Sequence, residues 1–409
     1  MFIRCLLVCW LSLFVNLSEI QQAHTFQDCV NQNQIPVAEC NSLMYLYNHT
    51  NGAQWNDHTN WIQTNTPCDW YGISCSDGHI TSLIFSDNGL SGDLSEWQLP
   101  PKLEVFRLQF SEVTGDISRW SLPSTLQTLG LHENHLSGDI SGWKLPSALV
   151  SLQFLERELS GDITTWSLPK GLQALSITLT PLTGNVTDWI LPEPLRWLTL
   201  QDTEFEGDIT HWVFPQSLEH VFIYQTRLDG EISDWQLPNS LKAFTLWGNH
   251  RLHGDIGKWV LPTSLNYLEI GNNGSTVGDI SGWILPPSIN FVLMPCNDLS
   301  GDLSHWLLPN SLESLSLNCN SLSGNLKNWQ LSSSLQYLNL SRNQFQGDLT
   351  GWVLPEAMEE LSLAYNEFTG EPSRWEIPPR LWKIDLTNNQ FKGAIPTPMP
   401  MPEDLQGCC

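Results

Sequence analysis

Thirteen positions at one recurring phase of the chain carry an acid or its amide. They are Asp93, Asp116, Asp139, Asp162, Asp208, Asp255, Asp279, Asp302 and Asp348, with Glu231 and Glu371, and with Asn at 185 and 325. Carboxylates stacked about 5 Å apart repel one another by roughly 1 kcal/mol or less per pair in water, so the row needs a reason. One reason is a divalent cation such as Ca²⁺ bridging neighbouring carboxylates. The other is that each side chain accepts bonds from nearby backbone N–H groups as an Asx-type turn, which also keeps it ionised. No D-x-D-x-D-G loop occurs, and Glu and Asn interrupt the row. The turn reading is therefore preferred, and no metal or cofactor is expected.

Catalytic chemistry finds little footing. There is no G-x-S-x-G elbow, no H-E-x-x-H and no glycine-rich phosphate loop, and an enzyme is not expected. His132-Glu133-Asn134-His135 has metal-like spacing, yet Asn134 falls at a bend, so the two histidines should face different ways; His250 and His253 read as loop residues. Net charge is −25, from 43 acidic and 18 basic residues. That balance argues against nucleic acid or an anionic bilayer as partner and favours a basic or neutral ligand.

What positions these residues is a repeat. Tryptophans at 97, 120, 143, 166, 189, 212, 235, 259, 283, 306, 329, 352 and 375 recur every 23 residues, with steps of 24 into 259 and 283. A clean copy runs from Leu126 through Leu129, Leu131, Asn134, Leu136, Gly138, Asp139, Ile140 and Trp143 to Pro146. The template is L-x-x-L-x-L-x-x-N-x-L-S-G-D-I-S-x-W-x-L-P. Alternation across L-x-L predicts one short strand per unit, and stacked copies would pair as a parallel sheet about 4.8 Å between strands. The tryptophans are expected to fill the core as a structural ladder, with offset-stacked rings. The bend position is Asn at 88, 134, 297, 320, 343, 366 and 389, and Asn249 and Asn273 in the lengthened units. It becomes Ser111, Arg157, Thr180, Thr203 and Thr226 elsewhere, where a looser bend is expected.

This unit resembles a leucine-rich repeat, specifically the plant-type subclass whose consensus closes with L-x-G-x-I-P. The last copy, Leu386 to Pro396, keeps that ending; the other units carry the tryptophan instead. Upstream, Cys68-Asp-Trp70-Tyr-Gly72-Ile-Ser-Cys75 is similar to the C-x-W-x-G-x-x-C cap of secreted plant-type repeat domains, and the stretch from Leu43 to Trp61 resembles that cap's short helix and aromatic loop. The resemblance covers about residues 36 to 396. It implies an α/β solenoid, a horseshoe or superhelix with a parallel concave sheet and about 14 repeats of 23 to 24 residues. No kinase-like segment follows the repeats, so the likeness is to an ectodomain alone. The expected organisation is a signal peptide over 1–23, a cap over 24–78, the solenoid over 79–396 and a Pro-rich tail over 397–409.

Residues 1–17 set Arg4 ahead of an apolar run from Cys5 to Leu17, as in a secretory leader, with cleavage near Ala23. No later run of 18 apolar residues follows, so no membrane span is expected after processing. In an oxidising compartment the remaining cysteines should pair. Cys29 and Cys40 flank the start of the cap helix and would pin it. Cys68 and Cys75 pair by the resemblance and their short separation. Cys296 and Cys319, 23 residues apart at one phase, would stack within disulfide reach. Cys408 and Cys409 superficially resemble a prenylation ending, which a secreted chain would not use. Sequons at Asn48, Asn185, Asn273 and Asn339 suit a secreted glycoprotein.

Outward strand positions build the binding face of such solenoids. Most copies offer small groups there: Thr128, Gly130, Ala174, Ser176, Ser314, Ser316, Ser362. Units from 195 to 293 differ, presenting Trp197, His220, Phe222, Tyr224, Trp247, Tyr267 and Phe291, with Gln201, Asp202, Gln225 and Glu269 among them. Such a strip is a candidate hot spot, although the rings could instead cover one another as cross-strand pairs. The expected function is extracellular recognition of a protein, peptide or cell-wall polysaccharide, with a co-receptor as a further partner; the alternative is a structural or adhesive matrix protein.

Overall fold

The computed structural model describes residues 26–398 and 400. The expected leader over 1–23, the end of the tail and Cys408–Cys409 lie outside the described residues. Within them the repeats stack into a solenoid with two parallel sheets. The first sheet has fifteen strands and the second fourteen, each running in chain order along the stack. The opening pair, Ile73–Ser76 with His79–Ser86, is antiparallel; every later pairing is parallel.

Two strands per unit, rather than the one expected, is the first correction. In the clean copy the L-x-L segment forms Thr128–His132 in the first sheet, and H-L-S-G-D forms His135–Asp139 in the second. Small polar residues and a central Gly are poor strand formers, so the second strand carries no alternation signal. Its glycine is required by geometry. Gly138 sits at φ +114°, and a Cβ there would meet Asp116 Oδ1 at 2.2 Å and Ser118 N at 3.0 Å. Only Gly admits both that φ and that approach.

Leucines at the template positions close the core: Leu126, Leu129, Leu131, Leu136 and Ile140 are fully buried. No unit could bury this set alone, so neighbours share it. The tryptophan ladder is also buried, and most of its indoles donate to a carbonyl of the preceding repeat, as Trp306 Nε1 does to Ile280 O at 3.1 Å. Rings stack at Trp189–Trp212 (6.5 Å, 7°) and Trp235–Trp259 (6.4 Å, 14°), while Trp97–Trp120 is edge-on.

The residue before each bend position adopts left-handed φ, as at Glu133 (51°), Leu179 (49°), Asp202 (49°) and Gln225 (48°). Thr repeats thus keep the same backbone as Asn repeats, contrary to the looser bend expected. One unit departs. Around Arg157 no left-handed residue occurs, and Glu156 turns inward into the place an Asn fills elsewhere. Its Oε1 accepts from Asn134 Nδ2 at 2.5 Å, its backbone N donates to Thr180 Oγ1 at 3.1 Å, and its Oε2 has no partner. Burial pushes this carboxyl up to about 7.

At the amino-terminal end the helix Val37–His49 packs on the first strands. Its buried Glu39 accepts from Ile80 N at 2.8 Å and pairs with His79 Nδ1 at 2.6 Å, which ties the helix to the stack. Cys29–Cys40 and Cys68–Cys75 are disulfides with Cα separations of 5.5 Å. Trp55, Trp61 and Trp70 fill the space between helix and sheet.

Candidate binding surface on the first sheet

Parallel register sets the outward residues of the middle strands in three rows. One row runs Trp197, His220, Ala243, Tyr267, Phe291; the next Thr199, Phe222, Thr245, Glu269, Leu293; the third Gln201, Tyr224, Trp247, Gly271. Asp202 and Gln225 follow at the left-handed bend, where Gln201 Nε2 donates to Asp202 Oδ2 at 3.1 Å. All eleven candidate residues therefore fall in one patch across five neighbouring strands.

The rings partly cover one another. Trp197 lies 4.3 Å from the His220 ring and 5.6 Å from Phe222, and Tyr267 lies 5.6 Å from Phe291. Between these groups Ala243 and Thr245 are buried beneath larger neighbours. Trp247 lies over Gly271, where a Cβ would approach its ring at 2.5 Å. Trp197 remains 40 % exposed, with its Nε1 donating to Thr199 Oγ1 at 2.8 Å. The strip is thus a half-buried aromatic floor with an open edge at Trp197. Ring faces there can stack on a flat apolar group or a cation.

Glu269 is the carboxylate in the middle of this floor. It accepts from Tyr267 Oη at 3.1 Å and Thr245 Oγ1 at 3.4 Å. Burial, then the neighbouring Glu269 charge, pushes the Tyr267 hydroxyl up to about 12. Burial also lowers the His220 imidazole below its usual value, with Lys242 acting in the same direction, so this ring is neutral at pH 7. Along the strand starts runs an ion ladder: Glu219 accepts from Arg196 Nη1 at 3.2 Å and from Lys242 Nζ at 2.5 Å. The ladder, Thr199 and the small residues Ala243 and Gly271 were missed from the sequence. Aligning the residue before each strand at the repeat spacing would have exposed the first of these.

The other candidates separate. His132 lies on the first sheet and His135 on the second, where it faces Glu112 at 3.1 Å and Glu158 at 3.7 Å. Among the described residues no group of His, Cys, Asp or Glu is arranged to hold a metal ion. The acid row forms the Asx-type turns expected, except at Glu371, which pairs with Arg374 Nε at 2.7 Å instead. Asp139 Oδ1 accepts from Ser141 N at 2.9 Å and Ser141 Oγ at 2.5 Å, and Ser141 Oγ in turn accepts from Asp162 N at 2.7 Å. That relay recurs along the stack, and the hydroxyl bond followed by the backbone bond holds Asp139, Asp162 and Asp208 below the usual carboxylate range.

Cys296 and Cys319 are free thiols, not the bridge expected. Both occupy the left-handed bend, at φ 50° and 60°. The two thiols lie in hydrogen-bond contact without a bond between the sulfurs. The Cys319 hydrogen bond and burial push the Cys296 thiol up to about 11. Of the sequons, Asn48 and Asn185 are exposed. Asn273 turns its amide inward, donating to Leu246 O at 3.0 Å in the bend role expected of it. Asn339 lies half-buried on the first sheet, its Oδ1 accepting from Ser341.

Comparison with known proteins bears on the repeat. Residues 334–354 match the Leucine Rich Repeat family model. No curated protein matches the chain by sequence. Among solved structures, a plant ice-binding protein shares 18 % identity over 91 % of this chain and 99 % of its own, with a TM-score of 0.37. The Arabidopsis receptor kinase HAESA, solved with the peptide hormone IDA and a co-receptor, shares 20 % over 81 % and 78 %, with a TM-score of 0.33. A leucine-rich repeat protein of Leptospira interrogans shares 20 % over 76 % and 80 %, with a TM-score of 0.40. Likeness at this level concerns the repeat architecture alone.

Proposed function

We propose that the chain is an extracellular recognition module that binds a protein or peptide segment across the first sheet between Trp197 and Phe291, and that it is not an enzyme. One observation carries this reading: large rings gather on five consecutive strands of a sheet whose other outward positions carry no Trp or Phe and a single Tyr, Tyr337. Solenoids recognise partners through such extended faces, and aromatic anchors supply most of the energy at interfaces. The disulfides at the amino-terminal end support an oxidising compartment. Glu269 and the neutral His220 favour a segment that offers a cation or hydrogen-bond donors to an apolar floor. A soluble wall polysaccharide is the competing ligand, since sugar faces also stack on rings.

The test is capture from separately prepared extracellular peptide and polysaccharide fractions by the full chain and by Trp197→Ala and Trp247→Ala. Capture of a peptide species that is lost at least tenfold in both variants is expected. Equal capture by all three chains would remove the strip from the function and leave the matrix-protein alternative.

A further inference from the structure

The residue that follows each ladder tryptophan points out of the return segment into solvent. In the amino-terminal units it is polar: Gln98, Ser121, Lys144, Ser167. From Trp189 onward it reads Ile190, Val213, Gln236, Val260, Ile284, Leu307, Gln330, Val353 and, last, Glu376. The six aliphatics are 79 to 87 % exposed. A line of fully exposed aliphatic side chains on successive repeats is unusual on a solvated surface.

Two features say what covers it. The first is charge. In a chain of net charge −25, the return segments 256–266, 280–290, 303–312 and 326–336 contain no Asp or Glu, while Lys258, His305 and Lys327 lie among them. Over these four segments two copies of so acidic a chain can approach without opposing carboxylates, whereas the outer segments of the stripe carry Glu219, Asp234, Glu356 and Glu359. The second is order. About Ile284 the seven residues from Val213 to Val353 read the same in both directions by class: Val260 mirrors Leu307, Gln236 mirrors Gln330, and Val213 mirrors Val353. The match stops one unit further out, where Ile190 would face Glu376.

We propose that this stripe is a two-fold interface with a second copy of this chain. A two-fold axis at Ile284, perpendicular to the stripe, runs the partner's stripe antiparallel, so that residue i meets j and j meets i. Aliphatic then meets aliphatic and Gln meets Gln along its whole length. At the axis Gly282 precedes the tryptophan. A Cβ there would meet nothing within 4 Å, so the fold does not require glycine, and its absence of side chain leaves room for close approach. Beside it, a cleft of 630 Å³ between two return segments, lined by Trp283, Ile284, Leu285, Trp306, Leu307 and Leu308, can receive a partner's aliphatic side chain.

Six steps of about 4.8 Å give a contact roughly 29 Å long. One loop wide, it covers about 400 Å² per copy, half of a standard interface. The dimer is therefore weak and forms in the micromolar range or above.

Sedimentation of the full chain over a micromolar to millimolar series should show a reversible monomer–dimer equilibrium. Ile284→Asp should weaken it at least tenfold, whereas Ser121→Asp, at the same phase in the polar units, should leave it unchanged. Cysteine pairing then tests the axis in a C296S/C319S chain. Ile284→Cys should crosslink to itself, and Val213→Cys should crosslink to Val353→Cys but not to itself. A chain monomeric throughout the series, a dimer indifferent to Ile284→Asp, or Val213→Cys that self-crosslinks as readily as Ile284→Cys would each overturn the proposal. So would a monomer that instead sediments with phosphatidylcholine vesicles.

Discussion

Repeats 297 to 389 and repeats 180 to 226 make the same turn with different chemistry at the bend. In the first group one Asn closes the turn and stitches it to its neighbours. Asn366 Nδ2 lies within reach of Leu340 O at 2.9 Å, one repeat back, and of Leu363 O at 3.0 Å, while its Oδ1 accepts from Phe345 N at 3.0 Å. Asn320 and Asn343 repeat the pattern. In the second group Thr180 Oγ1 reaches Thr178 O within its own unit, and the buried Thr203 hydroxyl has no partner. A Thr hydroxyl makes at most one bond to a neighbouring repeat, as Thr180 Oγ1 does with Glu156 N and Thr226 Oγ1 with Asn249 Oδ1, where the Asn366 amide makes two. The backbone φ is nevertheless the same, so stacking of the leucine core sets the turn and the amide adds a cross-tie. The aromatic strip begins over the less tied bends: Trp197–Gln201 and His220–Tyr224 run into Thr203 and Thr226.

The largest effect should come from exchanging these bends. Asn366→Ala removes a buried amide and strands two carbonyls and an N–H, which should cost about 3 kcal/mol in denaturant unfolding. The reverse change, Thr203→Asn, should stabilise by about 1 kcal/mol, because it replaces a partnerless hydroxyl with an amide long enough to bond the preceding repeat as Asn366 does. Equal and small changes at both sites would mean that the cross-ties contribute nothing beyond core packing.

Much of this stack was legible because its period is rigid. Leucines at fixed phase gave the first sheet and its register, and thirteen tryptophans gave the number of return segments. The second sheet was not legible, since Ser, Gly and Asp specify a strand there only through contacts with the neighbouring repeat. Nor was Glu156. Sequence phase pointed at Arg157, but an arginine cannot enter the core, so the chain shifts by one residue and buries the shorter acid. On the candidate surface the eleven residues were found by phase alone, whereas their mutual cover depends on Ala243 and Gly271, small residues that look unremarkable in the sequence. Spacing placed Cys296 and Cys319 side by side, as the structure has them, but proximity alone does not decide whether two thiols are bonded.

Glu156 sharpens the comparison, because it is the one bend where an acid replaces the amide. Its folded pKa is raised from 4.5 to about 7. The folded state therefore binds the proton more tightly than the unfolded chain does. Its contribution is fully present below about pH 4.5, falls as pH rises and is lost above about pH 7, a span of roughly 3 kcal/mol. Glu156→Gln removes the titration and keeps the acceptor for Asn134. The variant should match the parent at pH 4.5 and exceed it by up to about 3 kcal/mol at pH 8. Parallel stability curves for the two chains would show that Glu156 is not held in an environment different from water.

The smallest effect tests what the two regions share. The acid row passes through both groups of repeats with the same bonds: Asp208 Oδ1 accepts from Thr210 N at 2.9 Å, and Asp302 Oδ1 from Ser304 N at 2.8 Å. Both carboxyls are held below their usual value by hydrogen bonds from that Thr or Ser, the side-chain bond first. A lowered folded pKa means stability that is present above the unfolded value, so at pH 7, and lost as pH falls through the folded value; the row therefore stops contributing only in acid. An amide keeps the Oδ1 acceptor, and Asn already stands at 185 and 325, accepting from Thr187 N at 3.0 Å and Lys327 N at 3.1 Å. Asp208→Asn and Asp302→Asn should therefore shift the melting temperature at pH 7 equally and by no more than a degree or so, and chelator should not shift it at all. A bound divalent ion would act differently, stabilising by mass action and disappearing with chelation. A melting temperature that falls in chelator, and falls less in the Asn variants, would replace the hydrogen-bonded turn with an ion as the reason for the row.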